Sequence, residues 1–181
     1  MSHRRAFEVA FVGLKSGEHE FIYQIDDHFF EEYQQQDFQN CVTTVKLTLD
    51  KKNGFMLCKF DVDGKVELLC DRCGNKLQLQ LWDEFNIVVK IVDDPGNMNE
   101  QEEDPDVYYI GKGESHFSVA DWMYEFINLS IPMQRMCEND KMGGAKCNPE
   151  VLNKLKKMEE GAKSIQSNIL WKGLDQFKDL K

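Results

Sequence analysis

Val66-Glu67-Leu68-Leu69-Cys70-Asp71-Arg72-Cys73-Gly74-Asn75-Lys76-Leu77-Gln78-Leu79 sets two cysteines, two residues apart and followed at once by glycine, between strand-like patterns. Two thiolates with that spacing can face one tetrahedral cation, and the glycine lets the backbone turn beneath them without a Cβ clash. Upstream, Met56, Cys58, Phe60 and Val62 share a face, and Asp63-Gly64 reads as a hairpin turn into Val66 and Leu68. Before them Val45, Leu47 and Leu49 alternate with Lys46, Thr48 and Asp50, and Asn53-Gly54 is a strong two-residue hairpin signal. Downstream, Leu77, Leu79, Leu81, Phe85, Ile87, Val89 and Ile91 keep to odd positions, broken only by Asp83. A straight strand of that length would run about 50 Å at the usual rise. A bend or bulge is therefore expected near Trp82-Asp83. The fold class that follows is α+β. It is an antiparallel, strongly curled β-meander or partial barrel with two or three packed helices and a zinc-knuckle hairpin.

On either side of this centre the pattern is more mixed. Ala6 to Leu14 reads as a strand, Ser16-Gly17 as a turn, and His19 to Ile25 as a second strand. Asp26 or Asp27 is placed to cap a short helix holding Phe29, Phe30 and Tyr33. Residues 93–106 hold seven acids, no base, two prolines and a glycine, the composition of a solvated loop. Ser118 then caps a helix with Asp121 at the capping-box position, and Val119, Trp122, Met123, Phe126 and Ile127 form one apolar stripe for packing on the sheet. Pro132 ends that helix. Asn148-Pro149 opens a last helix with Val151, Leu152, Leu155 and Met158 expected to face inward. Residues 1–163 are expected to form a single domain, and 164–181 a basic amphipathic tail. In that tail Trp171, Lys172, Leu174, Phe177 and Lys178 are candidate partner-binding residues.

Cys137 and Cys147 supply a second pair of thiols, with Gly143-Gly144 between them to let the loop fold back. Cys70, Cys73, Cys137 and Cys147 together would fill a tetrahedral sphere and leave no position for substrate, which points to a structural zinc clip joining 70–73 with 137–147. Two other readings compete. A redox pair is expected at the start of a helix, where the dipole lowers the thiol pKa, whereas Gly74-Asn75 leads into a strand pattern. Two thiols without a task are the third possibility. Cys58 shares a face with Phe60 and reads as a small buried hydrophobe, and nothing assigns Cys41 a role. His116 is the one histidine placed as a rival ligand. There is no phosphate loop, no H-E-x-x-H, no G-x-S-x-G and no carboxylate pair in an apolar setting. The chain is expected not to be an enzyme and to have no small-molecule substrate.

The net charge of −10 over 181 residues argues against indiscriminate nucleic-acid binding. It is unevenly spread: residues 141–181 carry nine lysines and five acids, so residues 1–140 hold a charge of −14. Ordinary solubility charge is the first reading of this split; the alternatives are a basic protein partner for the acidic body and contact with RNA through the basic tail. No apolar run approaches the roughly 20 residues needed to span a bilayer. Met1-Ser2-His3-Arg4-Arg5 leads into no signal-like apolar segment, so a cytoplasmic location without membrane contact is expected. Six cysteines in that compartment are free thiols or ligands before they are disulfides.

Taken in order, these features resemble the YceD family of bacterial large ribosomal RNA subunit accumulation proteins. Cys70-Asp71-Arg72-Cys73-Gly74 looks like its C-x-R-C-G segment, followed by a long strand and an acidic loop. A helix then runs into Phe126-Ile127-Asn128-Leu129-Ser130-Ile131-Pro132, the Cys137 and Cys147 pair follows, and a lysine-rich terminus lies around Asn168-Ile169-Leu170-Trp171-Lys172-Gly173-Leu174. The resemblance covers most of residues 40–181. It implies a non-enzymatic role in large ribosomal subunit biogenesis, supporting ribosomal RNA accumulation through a ribosomal protein or precursor RNA. The contrasting expectation is a zinc-stabilised interaction adaptor unrelated to the ribosome.

Overall fold

The computed structural model describes residues 3–137 and 147–166. Its strands are β1 (Glu8–Val9), β2 (Gly17–Asp26), β3 (Phe38–Lys51), β4 (Phe55–Leu69), β5 (Lys76–Val92), β6 (Val107–Gly111) and β7 (Phe117–Ser118). The α-helices are α1 (Pro95–Gln101), α2 (Ala120–Leu129) and α3 (Pro149–Gln166), and short 3-10 helices span His3–Phe7 and Asp27–Glu32. Five strands lie side by side in the order β2-β3-β4-β5-β6, while β1 pairs with β7. The β2–β3 and β3–β4 ladders are antiparallel and β6 runs parallel to β5. The fold is thus α+β with one five-stranded sheet. The expected partial barrel is corrected to an open sheet that is neither closed nor strongly curled, because β6 ends it on one side and β2 on the other.

The described residues fall into two compact units, 3–68 with 78–133, and 69–77 with 134–137 and 147–166. In the first unit the alternation seen in the sequence buries Val45, Leu47, Leu49, Met56, Phe60, Leu81 and Val89. The stripe on α2 meets them: Met123 and Ile127 are fully buried, and the Phe126 ring stacks on Phe85 at 4.3 Å and lies against Phe60 at 5.1 Å. Each such side chain removed from water stabilises by about 1.5–3 kcal/mol. A second cluster joins Phe7, Phe29, Phe30 and Phe38 in edge-to-face contacts at 5.0 Å. Beside it Tyr33 stacks on Tyr124 at 4.1 Å and donates its hydroxyl to Asp121. The expected Ser118–Asp121 capping box is not formed, since Val119 is the N-cap of α2 and no side chain caps it; the Ser118 hydroxyl accepts only from the Ala120 N–H.

Three local readings change. The alternating burial of Phe7, Val9 and Phe11 is real, but only Glu8–Val9 finds a strand partner, so the expected strand over Ala6–Leu14 shrinks to two residues. Asn53-Gly54 does turn, with Gly54 at φ 86°, whereas Asp63-Gly64 lies inside the continuous β4. Gly64 faces Thr43 just past a register shift between Gln39 and Val42, where Asn40 takes φ 54°. The Asp27 carboxylate accepts the N–H groups of Asn40 and Cys41 that the bulge leaves without ladder partners. Lastly, the acidic stretch 93–106 is not plain loop. Asp94 accepts from the Asn97 N–H at the start of α1, and the chain returns as β6. No described helix is long and apolar enough to cross a membrane.

A Cβ at Gly64 would lie 2.4 Å from the Thr43 Cα and 2.5 Å from the Val42 carbonyl oxygen. Gly64→Ala is therefore expected to cost about 3 kcal/mol in urea denaturation. Gly13→Ala, with open space around it, should be silent. Burial pushes the Cys58 thiol up to about 12 and, with help from nearby Cys58, the Tyr23 hydroxyl also to about 12, from ordinary values of 9.0 and 10.0. The unfolded chain releases these protons first as pH rises. Stability is then full below pH 9 and falls as pH climbs towards 12, a slope that Cys58→Ala should flatten in a urea-midpoint series.

Candidate metal centre

Residues 70–75 connect β4 to β5 in a tight turn. The Gly74 N–H donates to the Cys70 carbonyl and the Cys70 N–H donates to the Asn75 carbonyl, both at 2.8 Å. Gly74 sits at φ 72°, a left-handed conformation that a Cβ would strain. This turn aims the N–H groups of Arg72 and Cys73 at the Cys70 sulfur. Cys147 stands immediately before Asn148, whose side chain accepts the Glu150 N–H and so caps α3. The half-buried Leu152, one turn into α3, packs on the cysteines.

The four sulfurs of Cys70, Cys73, Cys137 and Cys147 all lie within 4.8 Å of one another. Cys73 to Cys137 is 3.6 Å and Cys70 to Cys147 is 4.0 Å. A tetrahedral ion with metal–sulfur bonds of ~2.3 Å sets its ligand sulfurs about 3.8 Å apart, so the set has the size of such a sphere. A disulfide needs sulfurs at roughly 2 Å, and all six cysteines are free. Cys70, Cys137 and Cys147 are buried and Cys73 is partly so. With four sulfur donors the arrangement is closed and offers no open position.

Asp71 and Arg135 lace the two halves together. The Asp71 N–H donates to the Arg135 carbonyl, and the Asp71 carboxylate accepts from the Arg135 N–H, each at 2.8 Å. The Arg135 Nε approaches the same carboxylate at 3.4 Å. Arg72 also reaches the Met136 sulfur, at 3.3 Å. Both arginines thus contact residues that neighbour the thiols, Arg135 through Asp71 and Arg72 through Met136.

The thiols are strongly differentiated. Burial by itself would raise Cys70, but the N–H groups of Arg72, Cys73 and Cys137 and the Cys137 thiol together bring it down to about 6. Burial, and then the need to share a proton with the neighbouring sulfurs, pushes Cys137 and Cys147 up. A low-pKa sulfur suits a metal ligand or a nucleophile alike. Cys70, however, is only 2% exposed and leads into a strand, whereas a redox thiol needs access to its target.

All four sequence-designated ligands are therefore brought together. His116 is engaged elsewhere, with its ring near Ser115 and Glu8. Cys41 and Cys58 are buried, Cys41 beside Thr43 and Ile25 at the bulge. Trp171, Lys172, Leu174, Phe177 and Lys178 lie outside the described residues, as does the tail from 167 onward. On α3 Leu155 and Met158 are exposed, contrary to the inward face expected for them. The part that Asp71 and Arg135 play was missed. An aspartate between the two cysteines is the only sequence signal for it, and its partner lies 64 residues away.

Residues 58–178 match the family model described as Large ribosomal RNA subunit accumulation protein YceD. No curated protein and no solved structure matches the chain significantly.

Asp71→Ala should expose the Arg135 amide and speed its hydrogen exchange by about tenfold, with little effect in Asp71→Asn, whose amide oxygen still accepts. Equal exchange in all three proteins would show that the carboxylate does not hold the Arg135 segment.

Proposed function

Because the chain belongs to the YceD family, we propose that it is a non-enzymatic cytoplasmic factor in large ribosomal subunit biogenesis, binding a ribosomal protein or precursor RNA so that the ribosomal RNA accumulates. The match over residues 58–178 carries this reading, since it takes in the whole four-cysteine cluster. The cluster supports a structural role: its donors are all thiols, and zinc bound there would supply a closed, redox-inert cross-link. Within the chain's own residues, Gly74 shapes the turn, backbone N–H groups hold the Cys70 sulfur, and Asp71 fixes the Arg135 segment that leads to Cys137.

Charge separates the two kinds of partner. Residues 1–140, at −14, suit a basic ribosomal protein, and the lysine-rich residues 141–181 suit the RNA phosphate backbone. Affinity capture of the full chain from lysate, with and without nuclease, tests the proposal. Recovery of a large-subunit protein in both arms, with precursor RNA lost on nuclease treatment, is expected. Recovery of neither in either arm, or of only non-ribosomal proteins, would overturn it.

A further inference from the structure

The two edges of the five-stranded sheet are treated differently. On β6 the side-chain amide of Asn99 donates to the Tyr109 carbonyl at 2.9 Å and accepts from the Tyr109 N–H at 2.8 Å, imitating a neighbouring strand. The Glu114 carboxylate takes the Gly111 N–H beside it. That edge is plugged. On β2, ten residues from Gly17 to Asp26 pair with β3 along one side. Alternate residues of an antiparallel edge strand turn their N–H and C=O away from the partner. Among the described residues, outside the β2–β3 ladder only the Cys41 thiol reaches the backbone of Gly17–Ile25, at the Ile25 carbonyl, 3.8 Å away at the strand's end.

The exposed side chains of β2 are Glu18, Glu20, Ile22, Gln24 and Asp26, and the strand contains no lysine or arginine, although Lys46 of β3 pairs with the exposed Glu20 carboxylate. Where it ends, an open groove of about 380 Å³ begins, lined by Asp27, Glu31, Tyr33 and Phe38 among others and by no lysine or arginine; Asp27 accepts the Asn40 and Cys41 N–H groups and Glu31 meets the neighbouring His28. We infer that the β2 edge takes an extended, lysine- and arginine-rich peptide segment as an added antiparallel strand, its cations alternating over Glu18 and Glu20 and a terminal arginine reaching the groove. Backbone pairing gives such strand addition its affinity and side-chain alternation its selectivity. A planar guanidinium suits a groove that joins carboxylates to aromatic walls. A second copy of this chain fits less well: a two-fold pairing centred on Ile22 sets Glu18 against Asp26, like charge on like. The inference rests on the proposed role in that its natural occupant is a basic ribosomal protein.

The probe is a labelled ten-residue peptide of alternating lysine and valine ending in arginine, titrated into the full-length protein by fluorescence anisotropy. Its control has the same sequence with every backbone nitrogen methylated, which keeps the charge and removes the donors. The control should bind about tenfold more weakly. Alternate β2 amides should exchange more slowly on saturation. Glu18→Lys/Glu20→Lys, with an unchanged circular dichroism spectrum, should weaken binding by about tenfold. Equal binding of the methylated peptide, unchanged β2 amides, or full binding by the double variant would each overturn the inference. So would a concentration-dependent dimer whose β2 amides stay protected when the peptide is added. If the native chain captures ribosomal components and the double variant captures them equally well, the edge is refuted and the assembly role stands.

Discussion

In the second unit the buried cluster is sulfur: Cys70, Cys137 and Cys147, with Cys73 and Leu152 packed against them. Ordering each residue of such a unit costs about 1–2 kcal/mol of backbone entropy. Its pieces also come from chain segments 64 and 77 residues apart, so loop closure adds to the cost. Three or four thiols and a leucine return only a few kcal/mol by burial. A structural zinc ion bound there would contribute about 10–16 kcal/mol, and it would remove the problem of clustered thiols sharing protons. The spacing of the sulfurs, the N–H groups directed at Cys70 and the reciprocal bonds of Asp71 and Arg135 are all compatible with such an ion.

The same features bear on function. A sphere of four thiols has no vacancy for a reacting group, and Cys70, the thiol brought down to about 6, is buried along with Cys137 and Cys147. The first unit is by contrast an open sheet with one edge plugged by Asn99 and Glu114 and the other, among the described residues, ending at β2 with its acidic side chains. The proposed binding role draws on three features together: a family described by large ribosomal RNA subunit accumulation, a closed set of four thiols and an acidic sheet edge.

Much of this was legible from residue spacing. Period-two alternation in Val45–Leu49, Met56–Val62 and Leu77–Val89 marked strands because one face of each is buried. The α2 stripe and the four cysteines were equally plain. Asp63-Gly64 misled because the dipeptide that usually turns a hairpin serves here to let Thr43 approach across a bulge. Pairing to a distant strand decides that, and one segment read by itself carries no sign of it. The acidic stretch 93–106 hid α1 and the crossover to a parallel β6 because its composition is that of a solvated loop, whereas its order comes from Asp94, Asn99 and Tyr109. The barrel expectation failed for the same reason, since β6 closes off the β5 side without reaching β2.

X-ray absorption at the zinc edge, on full-length protein purified without added metal, addresses the central claim most directly. One zinc per chain with four sulfur neighbours at about 2.3 Å is the predicted result. A chain without stoichiometric metal, or an ion whose first shell holds oxygen or nitrogen in place of sulfur, would contradict it.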